Sequence, residues 1–91
     1  MLYVISYDVS DDDRRRRVSE ALKDFGRRVQ YSVFECEVDA AGLKDLLERI
    51  EFDLDFKTDS CRFYRLCQAC APEVHILGKG DQYSEPGFVI V

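Results

Sequence analysis

A single carboxylate, Asp8, stands one residue before the end of a hydrophobic run, Leu2-Tyr-Val-Ile-Ser-Tyr-Asp-Val9, and Ser10-Asp-Asp-Asp-Arg-Arg-Arg-Arg17 follows at once. An acid at the mouth of a strand is an oxygen ligand of the kind magnesium and manganese take. Arginine's planar fork matches phosphate oxygens in pairs. A hard cation that activates water, beside a cationic clamp for phosphate, is the basic equipment of phosphodiester hydrolysis. Each half has a competing reading. Asp8 also fits an acid-rich helix cap, and the arginines also fit a solvated face paired with Asp11, Asp12, Asp13 and Glu20.

The elements that must hold these groups follow from residue pattern. Leu2–Val9 is β-branched or aromatic, which predicts a strand. Alternation places Leu2, Val4, Ser6 and Asp8 on one face and Tyr3, Ile5, Tyr7 and Val9 on the other. Ser10 suits an N-cap, and Val18, Ala21, Leu22 and Phe25 mark the buried stripe of a helix ending near Phe25, with Gly26 as its stop. Arg14 and Arg15 extend that stripe toward the Asp8 end. Val29–Val38 reads as a second strand, and Asp39 caps a helix over Ala40–Glu51 that buries Leu43, Leu46, Leu47 and Ile50. Strands are also predicted at Ser60–Leu66, Val74–Leu77 and Phe88–Val91. The order is read as βαββαβ plus a short terminal strand, an α+β ferredoxin-like sandwich.

Two helices cover one face of a four-stranded sheet, and the other face needs its own cover. A second copy of the same sheet, in a symmetric homodimer, supplies it. The chain is then one domain over 1–91, with 79–91 as a C-terminal segment that pairs with the partner protomer. In such a dimer two Asp8 carboxylates approach each other and repel unless a proton or cation lies between them.

Size and composition agree with this economy. The chain has 91 residues, 46% of them hydrophobic and 34% charged, which is globular composition in a chain short enough to gain from self-association. No apolar stretch is long enough for a bilayer and no signal peptide leads the chain, so a soluble cytoplasmic protein is expected, with no membrane partner. The net charge of −5 argues mildly against nucleic acid, but the distribution is polarised. Seven of the thirteen basic residues lie between Arg14 and Arg28, whereas Glu35–Asp59 holds nine acids against three bases.

Cys67 and Cys70 have metal-ligand spacing, yet one such pair is weak without two further ligands. Cys36, Cys61 and His75 are the only soft groups to add, with Cys36 and Cys61 facing each other if their strands are neighbours. Plain thiols are the preferred reading, with no zinc expected, and His75 reads as structural.

The Leu2–Val9 run, the arginine-rich helix and Arg28-Val-Gln-Tyr-Ser-Val-Phe-Glu35 after a Gly-Arg pair together resemble the small CRISPR-associated endonuclease family of the adaptation complex. Arg62-Phe-Tyr-Arg-Leu and the Val-x-Ile-Leu-Gly78 stretch look similar too. The resemblance implies a ferredoxin-like homodimer with magnesium- or manganese-dependent endonuclease activity on single-stranded RNA or double-stranded DNA. It makes Asp8 the metal-binding, catalytic aspartate, and places Tyr7, Arg15, Arg17, Arg28 and Phe34 near the site. Arg16 is a looser candidate for phosphate contact. It also implies an alternative, a non-catalytic architectural dimer that bridges CRISPR integrase subunits and holds the DNA to be inserted.

Overall fold

The computed structural model describes residues 1–67 together with Ala69, Glu73, His75 and Leu77. The elements are β1 (Leu2–Asp8), α1 (Asp12–Lys23), β2 (Gly26–Gln30), β3 (Val33–Glu37), α2 (Ala40–Asp53) and β4 (Ser60–Leu66). The strands form one antiparallel sheet in the order β2-β3-β1-β4. This is the expected βαββαβ sandwich. The expected strand at 74–77 falls largely, and the segment 79–91 with its terminal strand wholly, outside the described residues. Among the described residues no helix is long and apolar enough to cross a membrane.

The core lies between the sheet and the two helices. Ile5, Tyr7 and Val9 from the β1 region meet Phe34 and Cys36 of β3, Val18, Ala21 and Leu22 of α1, and Leu46 and Ile50 of α2. The predicted stripes are thus in place, except that Leu47 remains 38% exposed. It lies one step round the helix from Leu46, past the edge of the buried stripe. The opposite face of β1 carries half-buried Val4 and Ser6 and exposed Asp8.

Four local expectations are corrected. The N-cap of α1 is Asp11, not Ser10, and its carboxylate accepts the Arg14 N–H at 2.9 Å. A carboxylate one residue nearer the helix reaches the unpaired N–H groups of its first turn. The helix ends at Lys23, and Gly26 opens β2 instead of stopping α1. A Cβ there would lie 2.1 Å from the Glu35 carbonyl oxygen and 2.7 Å from Cys36 Cα, so the glycine is required by close backbone approach. The stretch read as one strand over 29–38 is a hairpin. The chain reverses at Tyr31–Ser32, Ser32 takes φ 66°, and the register slips between Arg28 and Gln30. Finally, Cys36 and Cys61 are not on neighbouring strands, because β1 runs between β3 and β4. Cys36 pairs opposite Tyr3 and Cys61 opposite Tyr7.

A side-chain clasp closes the sandwich near the end of β1. Arg14 Nε donates to Asp59 Oδ2 at 2.8 Å and its Nη2 to Oδ1 at 3.3 Å. Asp59 also accepts from the Asp55 N–H at 3.0 Å and the Thr58 hydroxyl at 3.2 Å. The turn before β4 is therefore tied to the first turn of α1, and Asp59 precedes the residue that pairs with Asp8.

Two predictions follow from these contacts. Gly26→Ala should lower stability by about 1–3 kcal/mol, read as a fall in urea midpoint at unchanged slope, because backbone must move to admit the methyl group. Arg14 and the Asp55 N–H push the Asp59 pKa down from 3.8 to about 2. A carboxylate depressed in the folded state stabilises it above the unfolded pKa and ceases to do so as pH falls through the folded one. The stability of the wild-type chain should therefore drop more steeply between pH 4 and pH 2 than that of Asp59→Asn. Parallel curves would show that the clasp contributes nothing in solution.

Candidate phosphodiester site

Asp8 is the last residue of β1 and pairs opposite Ser60 of β4. Strand alternation turns its side chain away from the helices, on the face shared with Ser6. It is exposed and lines a cavity of about 240 Å³ with Ser6, Tyr7, Ser60, Arg62 and Tyr64. Arg62 Nη1 lies 3.5 Å from the Tyr64 hydroxyl, which raises the arginine pKa further above its ordinary value. Arg62 and Tyr64 belong to a segment that carries the family resemblance, but sequence reading assigned neither them nor Ser60 to the site. Their every-second-residue spacing was visible, but only the β1–β4 register brings that face of β4 beside Asp8.

The donor set here is one hard carboxylate flanked by hydroxyls, open to water. Among the described residues no three His, Cys, Asp or Glu side chains cluster to cage a metal ion. One carboxylate with room for water and a phosphate oxygen fits the way magnesium is usually held, with few protein ligands and several waters. Tyr7, by contrast, faces the helices. It is buried, with its ring 6.2 Å from that of Phe34.

The four consecutive arginines divide according to the helical turn. Arg14 is taken by Asp59, as described. Arg15 Nη1 donates to the Val9 carbonyl oxygen at 3.0 Å, and its Nη2 pairs with Asp12. Arg16 is 64% exposed and 3.7 Å from Asp13. Arg17 lies 3.5 Å from Asp53 on α2, which ties the two helices together. Arg28 reaches across from β2, donates to the Ser19 hydroxyl at 2.6 Å and stacks 5.6 Å above the buried Phe34 ring.

Arg15, Arg16 and Arg28 line one groove of about 310 Å³ with Tyr7, Lys23 and Tyr31. Arg17 is not part of it. The acid and the arginine clamp, adjacent in sequence, therefore occupy two cavities, with Tyr7 lining both. Among the described residues, the cation beside Asp8 is Arg62. Lys23 and Tyr31 are further groove residues that sequence reading missed; the hairpin that places Tyr31 there was itself not recognised.

Buried Cys36 and half-buried Cys61 stand apart from this chemistry. Burial pushes Cys36 up to about 11 and Cys61 up to about 12, which keeps both as neutral thiols. Cys67 is exposed, and Cys70 lies outside the described residues.

Comparison with known proteins bears on the whole chain. The family model for CRISPR associated protein Cas2 matches residues 1–74. The chain is 41% identical over 90 residues to a Synechocystis protein named CRISPR-associated endoribonuclease Cas2 3, covering 99% of this chain and 98% of that one. It is 44% identical over 91 residues to the Chloroflexus aurantiacus protein of the same name, covering 100% and 98%. The crystal structure of Streptococcus pyogenes Cas2 superimposes with a TM-score of 0.78 at 40% identity, covering 86% of this chain and 100% of that one. A match that runs through the Asp8 strand, the arginine helix and the hairpin to β4 leaves one assignment: the chain belongs to the CRISPR-associated Cas2 family.

Proposed function

We propose that this chain is a metal-dependent endonuclease subunit that works as a symmetric homodimer on single-stranded RNA or double-stranded DNA. The observation that carries this reading is the exposed Asp8 carboxylate at the end of β1, on the face the helices leave open and beside Arg62. The relatives' name, endoribonuclease, supports the same chemistry. Asp8 would hold a hydrated magnesium or manganese ion, which supplies water activation and charge neutralisation on the phosphate when bound. Arg62 stabilises negative charge that develops on the phosphate next to Asp8. The helix-free face, with Val4, Val33 and half-exposed Tyr64, is the surface on which a second sheet stacks. That stacking brings the second Asp8 toward the first.

A second reading, an architectural dimer that bridges CRISPR integrase subunits and holds DNA by its phosphates, is favoured by one specific observation. The groove of Arg15, Arg16 and Arg28 is separate from the Asp8 cavity, so phosphate can be gripped without the acid. Binding of that kind is electrostatic and weakens steeply with salt.

Asp8→Asn tests the enzyme reading. Magnesium-dependent cleavage should fall roughly 100-fold or more, the scale of metal catalysis, while affinity for nucleic acid is retained. Cleavage at the wild-type rate by the purified variant would remove Asp8 from the mechanism. Arg16→Ala, which breaks only an exposed pair with Asp13, should lower affinity for any sequence and reduce the slope of log affinity against log salt by about 1. An unchanged slope would take Arg16 off the phosphate path.

A further inference from the structure

Among the described residues, three grooves carry an exposed aromatic ring, and they differ in electrostatic character. Tyr64, 50% exposed, stands in the Asp8 cavity with one acid and one base, Asp8 and Arg62. Phe52, 90% exposed, lines a cavity with three acids, Asp45, Glu48 and Asp53, against one base, Arg49. A polyanion is repelled there. Tyr31, 72% exposed, lines the groove that holds Arg15, Arg16, Lys23 and Arg28 against only Asp12 and Glu20. Here an aromatic face lies within a surplus of positive charge, the pairing of features by which a single strand is held through its bases and its backbone together.

The tyrosine is placed by backbone. It occupies the two-residue reversal between β2 and β3, where Ser32 takes the left-handed φ of 66° that residues other than glycine rarely adopt. The Tyr7 N–H donates to the Ser32 carbonyl at 3.0 Å and pins this turn to β1. The turn is therefore anchored to the middle of the sheet while its side chain projects into solvent. Arg15, whose charge is held chiefly by Asp12, also interacts with the Tyr31 hydroxyl. Arg28 is fixed in its plane by Phe34 below and Ser19 beside it. The two guanidinium groups are thus oriented beforehand, and the tyrosine shares their groove.

We propose that Tyr31 is a stacking platform for a nucleobase of a single strand, whose neighbouring phosphates lie on Arg15 and Arg28. This rests on the reading of the arginine groove as a phosphate site, and it makes the groove selective. A base in a duplex is stacked on its neighbours and hydrogen-bonded to its partner, so its face is not offered to Tyr31. A single strand offers both base and phosphate.

The test compares wild type, Tyr31→Ala, Tyr31→Phe and the double variant Arg15→Ala/Arg28→Ala, each checked for native circular dichroism. The probes are a 15-nucleotide oligouridylate, an abasic strand of equal length and a 15-base-pair duplex. Tyr31→Ala should weaken oligouridylate binding by about 5- to 100-fold and leave abasic strand and duplex unchanged. Tyr31→Phe should bind like wild type, which separates stacking from the hydroxyl's hold on Arg15. Equal losses on all three probes, or none on oligouridylate, would overturn the stacking role. If the double arginine variant weakens no probe, the phosphate reading itself fails, whatever Tyr31 does.

Discussion

β1 is hydrogen-bonded along both edges, to β3 on one side and β4 on the other, and the two-residue period of that doubly held strand governs the whole site. Because neither edge can slip without breaking a ladder, each residue of β1 is committed to one face. Tyr7 is committed to the core, where it supports Phe34 and, through it, Arg28. Asp8 is committed to the open face, beside Arg62. Two neighbours in sequence thereby serve two different surfaces, and the distance between acid and arginine clamp is a property of the sheet, not of the short segment that joins them.

The arginine run illustrates how packing assigns roles to identical residues. Successive positions on a helix turn by about 100°, so Arg14 through Arg17 point in four directions. Arg14 finds Asp59, and Arg17 finds Asp53. Both become ties between elements, and their charge is spent on structure. Arg15 and Arg16 turn toward the open groove, where Arg28 joins them from β2. Asp59 and Asp53 thus draw Arg14 and Arg17 into ties between elements, whereas Arg15 and Arg16 face the groove and form their ion pairs with Asp12 and Asp13 of their own helix.

Much of this was legible in the chain. The β1 run and both helical stripes carry regular periods of apolar residues, and these mark the first strand and the two helices. The hairpin was not legible, because Tyr31 and Ser32 give none of the glycine, asparagine or proline that usually marks a reversal. Ser32 adopts a glycine-like φ without being glycine. Gly26 was visible as a glycine but misread, since close approach to β3 leaves no mark in local sequence. Arg62 and Arg17 show the same boundary. Their relation to Asp8 and to Asp53 depends on pairing between segments far apart in the chain, which no local pattern encodes.

The acidic lining of the helix-side groove has a consequence for how the molecule meets its target. With nine acids between Glu35 and Asp59 and a net charge of −5, a polyanion is pushed away from most approaches. At physiological salt each charge is felt over only about 8 Å, so repulsion and attraction are both local. If the arginine groove takes phosphate as proposed, collisions on the acidic side end without capture, and those that bring a strand to the groove beside the hairpin persist. On the proposed reading, the surplus of negative charge works as a filter on orientation, suppressing indiscriminate coating of nucleic acid while leaving the basic groove open among the described residues.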